Sequence, residues 1–273
     1  MALRVRIGIV DLKDPRGGTL GACRPEVWRA AAALRDGIAP DVPLSAALGE
    51  ARPSRAAGQL AGTAAGTAAA RAAIAAALGI DFVKVGLAGI AGAEEVSTAL
   101  EAVVAAARAA RHGGRIAASG TRVIAASYAD AACVGALPPR DLPAAAARAG
   151  AAGCLLDTAI KDGRSLTDHL GLEEVARFVA DCRGRGLIAA LAGSLAVTHL
   201  PTLVALRPDV LGARGALCRE GREGRLDRGR LILFHDALRV ARRAIPAVAF
   251  PGVPGPAIHT VPDAPRSWPP DGR

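Results

Sequence analysis

Three lysines are the residues of this sequence best suited to covalent chemistry. Of its 34 basic residues only Lys13, Lys84 and Lys161 are lysines, and all the others are arginines. Arginine keeps its proton near neutral pH, whereas a lysine whose pKa is lowered by burial or by neighbouring cations can act as a nucleophile or a base. We therefore interpret the three lysines as catalytic candidates. Three ordinary lysines in salt bridges are the alternative.

Two aspartates accompany these lysines. Asp11 and Lys13 are two residues apart in an apolar run, so in a strand their side chains point to the same face. Asp157 closes another apolar run, four residues before Lys161. A carboxylate there is costly to bury unless it is paired, and a lysine is its natural partner. The pattern predicts acid–base partners for the lysines, and a purely structural Asp–Lys pair is the alternative.

Small residues after two further apolar runs indicate an anion-binding site. Gly193 and Ser194 end one run, and Arg214 and Gly215 follow the next. At such positions backbone N–H groups can donate hydrogen bonds to a phosphate, and the guanidinium group of an arginine can donate two more. Plain packing of small residues at strand ends is the alternative.

A tyrosine and an aspartate mark a further strand end. Tyr128 is the only tyrosine, and with Asp130 it either orients a substrate or closes the end of the fold. The run Gly86, Gly89 and Gly92 does not have the spacing of a dinucleotide fingerprint, so no NAD site is predicted. The histidines show no metal-ligand spacing, and we expect neither a metal nor another cofactor.

An alternation of apolar strands and amphipathic helices must position these residues. Seven strands are expected, at Val5–Lys13, Pro43–Gly49, Phe82–Leu87, Arg122–Asp130, Gly153–Ile160, Leu187–Ser194 and Val210–Leu217. Helices are expected at Pro25–Arg35, Gln59–Leu78, Ala93–Arg111, Leu142–Ala149, Leu172–Arg185, Ala196–Leu206 and Arg228–Arg243. This pattern predicts an α/β fold, a parallel sheet covered by helices. The candidates lie at strand ends, which favours a TIM (β/α)8-type barrel lacking one unit over an open doubly wound sheet.

The length is sufficient for one large domain, which we expect to be a catalytic barrel over residues 1–244. Eight prolines follow without helical or strand period, and they predict a disordered tail over residues 245–273. No apolar run is long enough to span a membrane, and the N-terminus lacks the apolar core of a signal peptide. Five widely spaced cysteines without a Cys-x-x-Cys pair indicate reduced thiols, so we expect a cytoplasmic protein.

The net charge of +9 is spread along the chain, and aromatic residues make up only 3% of the sequence. Nucleic-acid-binding surfaces usually combine basic clusters with aromatic side chains that stack on bases. We therefore expect a surface that steers anionic small molecules, with no nucleic-acid or membrane partner. Nucleic-acid binding is a minor alternative, and the sequence leaves the oligomeric state open.

Several motifs along the chain resemble those of the (5-formylfuran-3-yl)methyl phosphate synthases of methanofuran biosynthesis. They are Val10-Asp11-Leu12-Lys13-Asp14-Pro15 with Gly18-Thr19-Leu20-Gly21-Ala22, Lys84-Val85-Gly86-Leu87, Tyr128-Ala129-Asp130, Leu156-Asp157-Thr158-Ala159-Ile160-Lys161-Asp162-Gly163, Leu191-Ala192-Gly193-Ser194 and Arg214-Gly215-Ala216. The resemblance extends from about Ile9 to Phe234. It implies a lyase on a TIM barrel that joins two molecules of the triose phosphate glyceraldehyde 3-phosphate, with loss of phosphate and water, into a furan aldehyde phosphate.

The resemblance also implies residue roles. Lys13 matches the Schiff-base lysine and Lys84 the proton acceptor, and Asp11, Asp157 and Lys161 match residues that assist proton transfers. Family members carry a complete first βα unit before this first strand, whereas ten residues precede Asp11 here. We therefore expect a barrel of seven strands with two unpaired edges. A different Schiff-base aldolase, or an inactive barrel that acts as a binding protein, are the alternative functions.

Overall fold

The structure, a computed structural model, describes residues 7–51, 64–110 and 120–245. Within these ranges seven strands form one parallel sheet whose spatial order follows the chain from β1 to β7. The strands are β1 Val10–Leu12, β2 Leu44–Glu50, β3 Phe82–Gly86, β4 Arg122–Tyr128, β5 Gly153–Asp157, β6 Ile188–Leu191 and β7 Val210–Leu211. The α/β class and the seven strands predicted from the sequence are confirmed.

Helices follow the strands and cover the outer face of the sheet. They are α1 Pro25–Ile38, α2 Ala64–Ala77, α3 Ala93–Ala109, α4 Leu142–Arg148, α5 Leu166–His169, α6 Leu172–Gly184, α7 Leu200–Ala205 and α8 Arg228–Arg243. In α6 the buried residues Val175, Phe178, Val179 and Cys182 recur at helical spacing, so one apolar stripe faces the sheet. No helix in the described ranges is both long and apolar enough to cross a membrane.

Two hydrophobic layers bury the two faces of the strands. Outward residues such as Val83, Val85 and Leu156 pack with the helices in the larger layer. An inner cluster contains residues from, or next to, every strand, namely Ile9, Ala47, Phe82, Ile124, Ala126, Leu155, Ala190 and Val210. Because this cluster includes residues from both edges of the sheet, the sheet is curled into a partial barrel.

Loops at the carboxyl ends of the strands connect the two halves of this barrel. The hydroxyl of Thr19, after β1, lies 2.9 Å from the carbonyl oxygen of Ala159, after β5. The carbonyl of Gly18 accepts a hydrogen bond of 3.0 Å from Arg222, after β7. Within the described residues, no strand pairs with the outer edge of β1 or of β7. The barrel mouth is therefore bridged by loops beyond the strands.

The loop after β1 is folded tightly on itself. The N–H of Asp14 donates to the carbonyl of Gly21 at 2.9 Å. A Cβ atom at Gly21 would lie 2.2 Å from the carbonyl oxygen of Asp14, so this turn has room only for glycine. Residues 14–21 thus form one compact unit that follows Lys13 directly.

Some element ends differ from the prediction. β5 ends at Asp157, three residues before Ile160, because the backbone beyond it turns to donate its N–H groups to a side chain in the loop after β4. β7 contains only Val210–Leu211, because the chain leaves the ladder at Gly212 and forms a 3-10 turn, Gly215–Leu217.

One predicted helix is divided in two. The stretch Ala196–Leu206 forms a 3-10 turn, Val197–His199, followed by α7. Pro201, in the first turn of α7, has no N–H with which to continue a helix from the preceding turn. Beyond residue 245 the predicted tail lies outside the described residues, as do the first residues of the predicted first strand.

Candidate active site

The inner faces of β1 and β3 bring Asp11 and Lys84 together. Oδ2 of Asp11 lies 2.5 Å from Nζ of Lys84, and the Lys84 side chain is only 13% exposed. Burial by itself raises the pKa of Asp11. The charges of Lys84 and Lys13, and hydrogen bonds from Lys84 and Ser45, outweigh burial, so the pKa of Asp11 lies below its ordinary value. The carboxylate is therefore held in its charged form beside a mostly buried ammonium group.

Lys13 follows on the same face of β1. Burial lowers the pKa of its ammonium group below the ordinary value. The carboxylates of Asp157 and Asp11 act in the opposite direction, because they stabilise the charged form. The neighbouring cations of Lys84 and Lys161 lower the pKa further, and the net shift is downward. A larger fraction of Lys13 is therefore the neutral, nucleophilic amine than in an ordinary lysine.

A second ion pair closes β5. Nζ of Lys161 lies 2.9 Å from Oδ1 of Asp157 and 2.9 Å from the hydroxyl oxygen of Thr158. Asp157 is buried, and its carboxylate also accepts the N–H of Thr158 at 2.8 Å. These contacts fix the Asp157 carboxylate and satisfy its charge, which removes most of the cost of burying it.

All five predicted lysines and aspartates thus meet at one end of the barrel. Asp11 contacts Lys84, Asp157 contacts Lys161, and the charges of these four groups all act on Lys13. Among the residues that the structure describes, no group of three or more His, Cys, Asp or Glu side chains could hold a metal ion. The groups that meet at this mouth are amines, which can form imines, and carboxylates, which can move protons.

The glycine and serine after β6 adjoin the second ion pair. Gly193 and Ser194 both have positive φ, 102° and 50°. A Cβ atom at Gly193 would lie 3.0 Å from Cγ2 of Thr158, so the backbone passes close to the residue that binds Lys161. Ser194 is exposed. An anion bound to this turn would lie at the rim of the mouth, on the side of Lys161.

The arginine and glycine after β7 face the loop after β1. Nε of Arg214 donates to the carbonyl of Arg222 at 2.6 Å, and Gly215 opens a 3-10 turn. Hydrogen bonds from Arg16 lower the pKa of Asp14, and the charge of Arg214 lowers it further. The positive charge of Arg214 therefore acts on the rim of the mouth between β7 and β1.

Tyr128 and Asp130 make their contacts inside the protein. The Tyr128 side chain is fully buried and its hydroxyl donates to Glu50. The carboxylate of Asp130 accepts the N–H groups of Ala159 and Ile160 at 2.7 and 2.8 Å. Asp130 thus fixes the loop that carries Lys161. An orienting role for these two residues stays a prediction, and it would act through the groups that they hold.

Glu50 is a polar residue of the mouth that the sequence reasoning missed. It is the last residue of β2, one position beyond the predicted end of that strand. Its carboxylate accepts the Tyr128 hydroxyl and, at 2.9 Å, the N–H of Ala88. Burial raises the pKa of Glu50, and these two hydrogen bonds offset the shift only in part. Glu50 stands at the end of an apolar run, as Asp157 does, and this position was the sequence signal that could have identified it as a candidate.

The fold and the mouth define a class of protein, the TIM-barrel-type α/β proteins. The structure is similar to phosphoribosyl anthranilate isomerase from Thermus thermophilus, with a TM-score of 0.53, 16% identity, and coverage of 88% of this chain and 92% of that one. It is also similar to KGPDC from Streptococcus mutans, with a TM-score of 0.53, 13% identity, and coverage of 88% of this chain and 89% of that one. At these identities the likeness shows the fold alone.

Sequence comparison then gives the family: the profile of the 4-HFC-P synthase family matches residues 1–233, and this chain belongs to that family. A (5-formylfuran-3-yl)methyl phosphate synthase from Archaeoglobus fulgidus is 36% identical over 230 residues, which are 84% of this chain and 90% of that protein. The one from Methanopyrus kandleri is 40% identical over 219 residues, 80% of this chain and 83% of that protein. The resemblance inferred from the motifs is confirmed.

Proposed function

We propose that this protein is a lyase that joins two molecules of glyceraldehyde 3-phosphate into (5-formylfuran-3-yl)methyl phosphate, for the synthesis of a methanofuran-type cofactor. The names of its relatives support the product. The arrangement that carries the mechanism is the two ion pairs, Asp11 with Lys84 and Asp157 with Lys161, whose charges act on the amine of Lys13. Phosphate and water are the other products.

The reaction begins when the neutral amine of Lys13 attacks the carbonyl carbon of one triose phosphate. Loss of water gives an iminium, which draws electrons from the adjacent carbon and so permits loss of a proton there. The carbanion equivalent that results forms the new carbon–carbon bond with the second aldehyde. The carboxylates of Asp157 and Asp11 stabilise the positive charge of the iminium.

The two ion pairs move the protons. Lys84 acts as a proton acceptor once its ammonium proton has passed to Asp11, whose Oδ2 lies 2.5 Å from Nζ of Lys84. Lys161 and Asp157 assist the later eliminations and the ring closure. Each positioned acid or base of this kind typically contributes about 10²–10⁴-fold to a rate.

The phosphate groups bind at the rim. Backbone N–H groups near Gly193, Ser194 and Gly215, with the guanidinium of Arg214, suit an anion on the side of β6 and β7. Binding there would leave the carbon chain of the substrate to extend toward Lys13. Tyr128 and Asp130 orient the site through the side chain and the loop that they hold.

Borohydride trapping tests this proposal. The purified protein is incubated with glyceraldehyde 3-phosphate and borohydride, and the reduced adduct is located by peptide mass spectrometry. We expect the adduct on Lys13, furan product when borohydride is omitted, and neither with Lys13→Arg, which keeps the charge but offers no nucleophilic amine.

The outcomes separate the alternatives. A Lys13 adduct without furan product would identify a different Schiff-base aldolase. A folded protein that forms no adduct and no furan would overturn the proposal and favour a binding protein.

A further inference from the structure

A β-bulge at the end of β2 turns Glu50 toward the inside of the barrel. The register pairs Ala47 with Lys84 and then Glu50 with Gly86, so β2 has one extra residue between the two pairs. Gly49, with a φ of 88°, lies within the bulge. Without the extra residue, the alternation of side chains would place Glu50 on the helix-covered face. The bulge instead gives Glu50 the same inner face as Lys84.

The backbone of β3 is shaped to accept this carboxylate. A Cβ atom at Gly86 would lie 2.2 Å from Oε2 and 2.5 Å from Oε1 of Glu50. Only glycine therefore leaves room for the carboxylate where it stands. Lys84 and Gly86 are two residues apart, so Glu50 lies about 7 Å further toward the mouth than the level of Lys84.

The groups that hold Glu50 are neutral donors, unlike those that hold the two aspartates. They are the hydroxyl of Tyr128 and the N–H of Ala88. A carboxylate offers about four acceptor positions, so two contacts leave sites for a proton or a substrate group. Glu50 is also only partly buried, which leaves it in reach of the mouth. A carboxyl group held in this way keeps its proton more readily than one beside an ammonium group.

We propose that Glu50 is a second acid–base group of this mouth, which gives a proton to a departing hydroxyl group of the substrate. This inference rests on the proposed function, which includes loss of water. A lysine takes the proton from carbon, and the electrons of that C–H bond form the new double bond. The C–O bond then breaks toward oxygen, and the proton of Glu50 joins that oxygen to release water.

The hydrogen bonds of Glu50 fit the state that this step leaves behind. After the transfer Glu50 is a carboxylate, and the donors on Tyr128 and Ala88 stabilise it. A proton from solvent, or the one first taken by the lysine, then restores the acid. Tyr128 is in this scheme a positioning residue, because it acts through Glu50.

Glu50→Gln tests the inference, since glutamine keeps the shape but has no acidic proton. We expect the Lys13 adduct to form at the wild-type rate while kcat for furan formation falls on the order of 100-fold. In the wild type, kcat should fall at high pH as Glu50 loses its proton, and Glu50→Gln should not show this fall. Tyr128→Phe removes a donor that lowers the pKa of Glu50, so it should move that fall to higher pH. Glu101→Gln, an exposed change on α3, is the matched control.

Two results would overturn the role of Glu50. One is a Glu50→Gln enzyme with the kcat and pH profile of the wild type. The other is a folded Glu50→Gln protein, checked by thermal unfolding, that loses the Lys13 adduct together with the product, since Glu50 would then serve the first step or the shape of the site. Furan formation by the wild type tests the proposed function separately.

Discussion

The close approach of Glu50 to β3 can be tested by adding a single methyl group. In Gly86→Ala the new Cβ would meet the carboxylate at 2.2 Å, so the Glu50 side chain must move by more than an ångström. That movement breaks its hydrogen bonds with Tyr128 and Ala88. The strand backbone itself tolerates alanine, because Gly86 does not have a positive φ.

The expected cost follows from those two hydrogen bonds. A hydrogen bond contributes about 0.5–1.5 kcal/mol between neutral groups and about 1.5–3 kcal/mol to a charged one, so about 1.5 kcal/mol, where the two ranges meet, applies to each. We expect Gly86→Ala to reduce the free energy of unfolding by about 3 kcal/mol. For a domain of this size, that loss corresponds to a fall in Tm of about 6–12 °C.

Urea unfolding of four proteins measures the coupling: the wild type, Gly86→Ala, Glu50→Ala and the double variant. In the Glu50→Ala background the methyl group meets no carboxylate, so Gly86→Ala should cost less than about 1 kcal/mol there. Gly184→Ala, at the open end of α6, is the matched control and should be neutral or slightly stabilising. An equal cost of Gly86→Ala in both backgrounds would refute the reasoning.

Three further predictions concern charge and the loop after β5. Asp11→Asn removes a carboxylate that raises the pKa of Lys13, so the pH at which borohydride trapping is fastest should fall. The raised pKa of Glu50 stabilises the folded state below its ordinary value near 4.5, and this contribution is lost as pH rises through the higher, folded value. The advantage in unfolding free energy of the wild type over Glu50→Gln should therefore shrink as the pH rises above about 4.5. Asp130→Ala leaves two N–H groups without their acceptor and should cost about 2–4 kcal/mol in thermal unfolding.

Each of these has a result that would contradict it. A trapping profile that stays in place or moves to higher pH would show that Asp11 does not act on the amine. A stability difference that grows with pH would mean that Glu50 has a lowered pKa. An Asp130→Ala protein as stable as Asp181→Asn, an exposed control on α6, would show that the loop does not depend on Asp130.

The strands could be predicted because most of them, such as β3 and β5, are buried on both faces. A strand such as β3 reads as a short apolar run, and the helices between the runs exclude hairpins, so a parallel sheet follows. The same pattern draws attention to Asp11, Lys84 and Asp157, because an ionisable side chain in an apolar run is costly to bury unless it has a partner. The contrast between apolar strand residues and the few ionisable residues among them was therefore sufficient to predict both the fold and the side chains that meet at the mouth.

Glu50 could not be placed in this way, because its orientation depends on a partner strand. Strict alternation along β2 directs it to the outer face, and only the register shift against β3 brings it inside. Its partner Tyr128 is 78 residues away in the sequence. The ends of β5 and β7 were misplaced for a related reason, since contacts with neighbouring loops, not local composition, end those strands.

The compact loop after β1 has a consequence for the timing of the reaction. Residues 14–21 are closed on themselves, so we expect the loop to move as one piece if its hydrogen bonds to Ala159 and Arg222 break. Lys13 directly precedes this loop, and its Nζ lies 3.4 Å from the carbonyl oxygen of Thr19 within the loop. Such loop movements take microseconds to milliseconds and often set the rate of product release. Opening of the loop would break the contact between Lys13 and Thr19, so we expect access to the mouth and the position of the amine to be coupled.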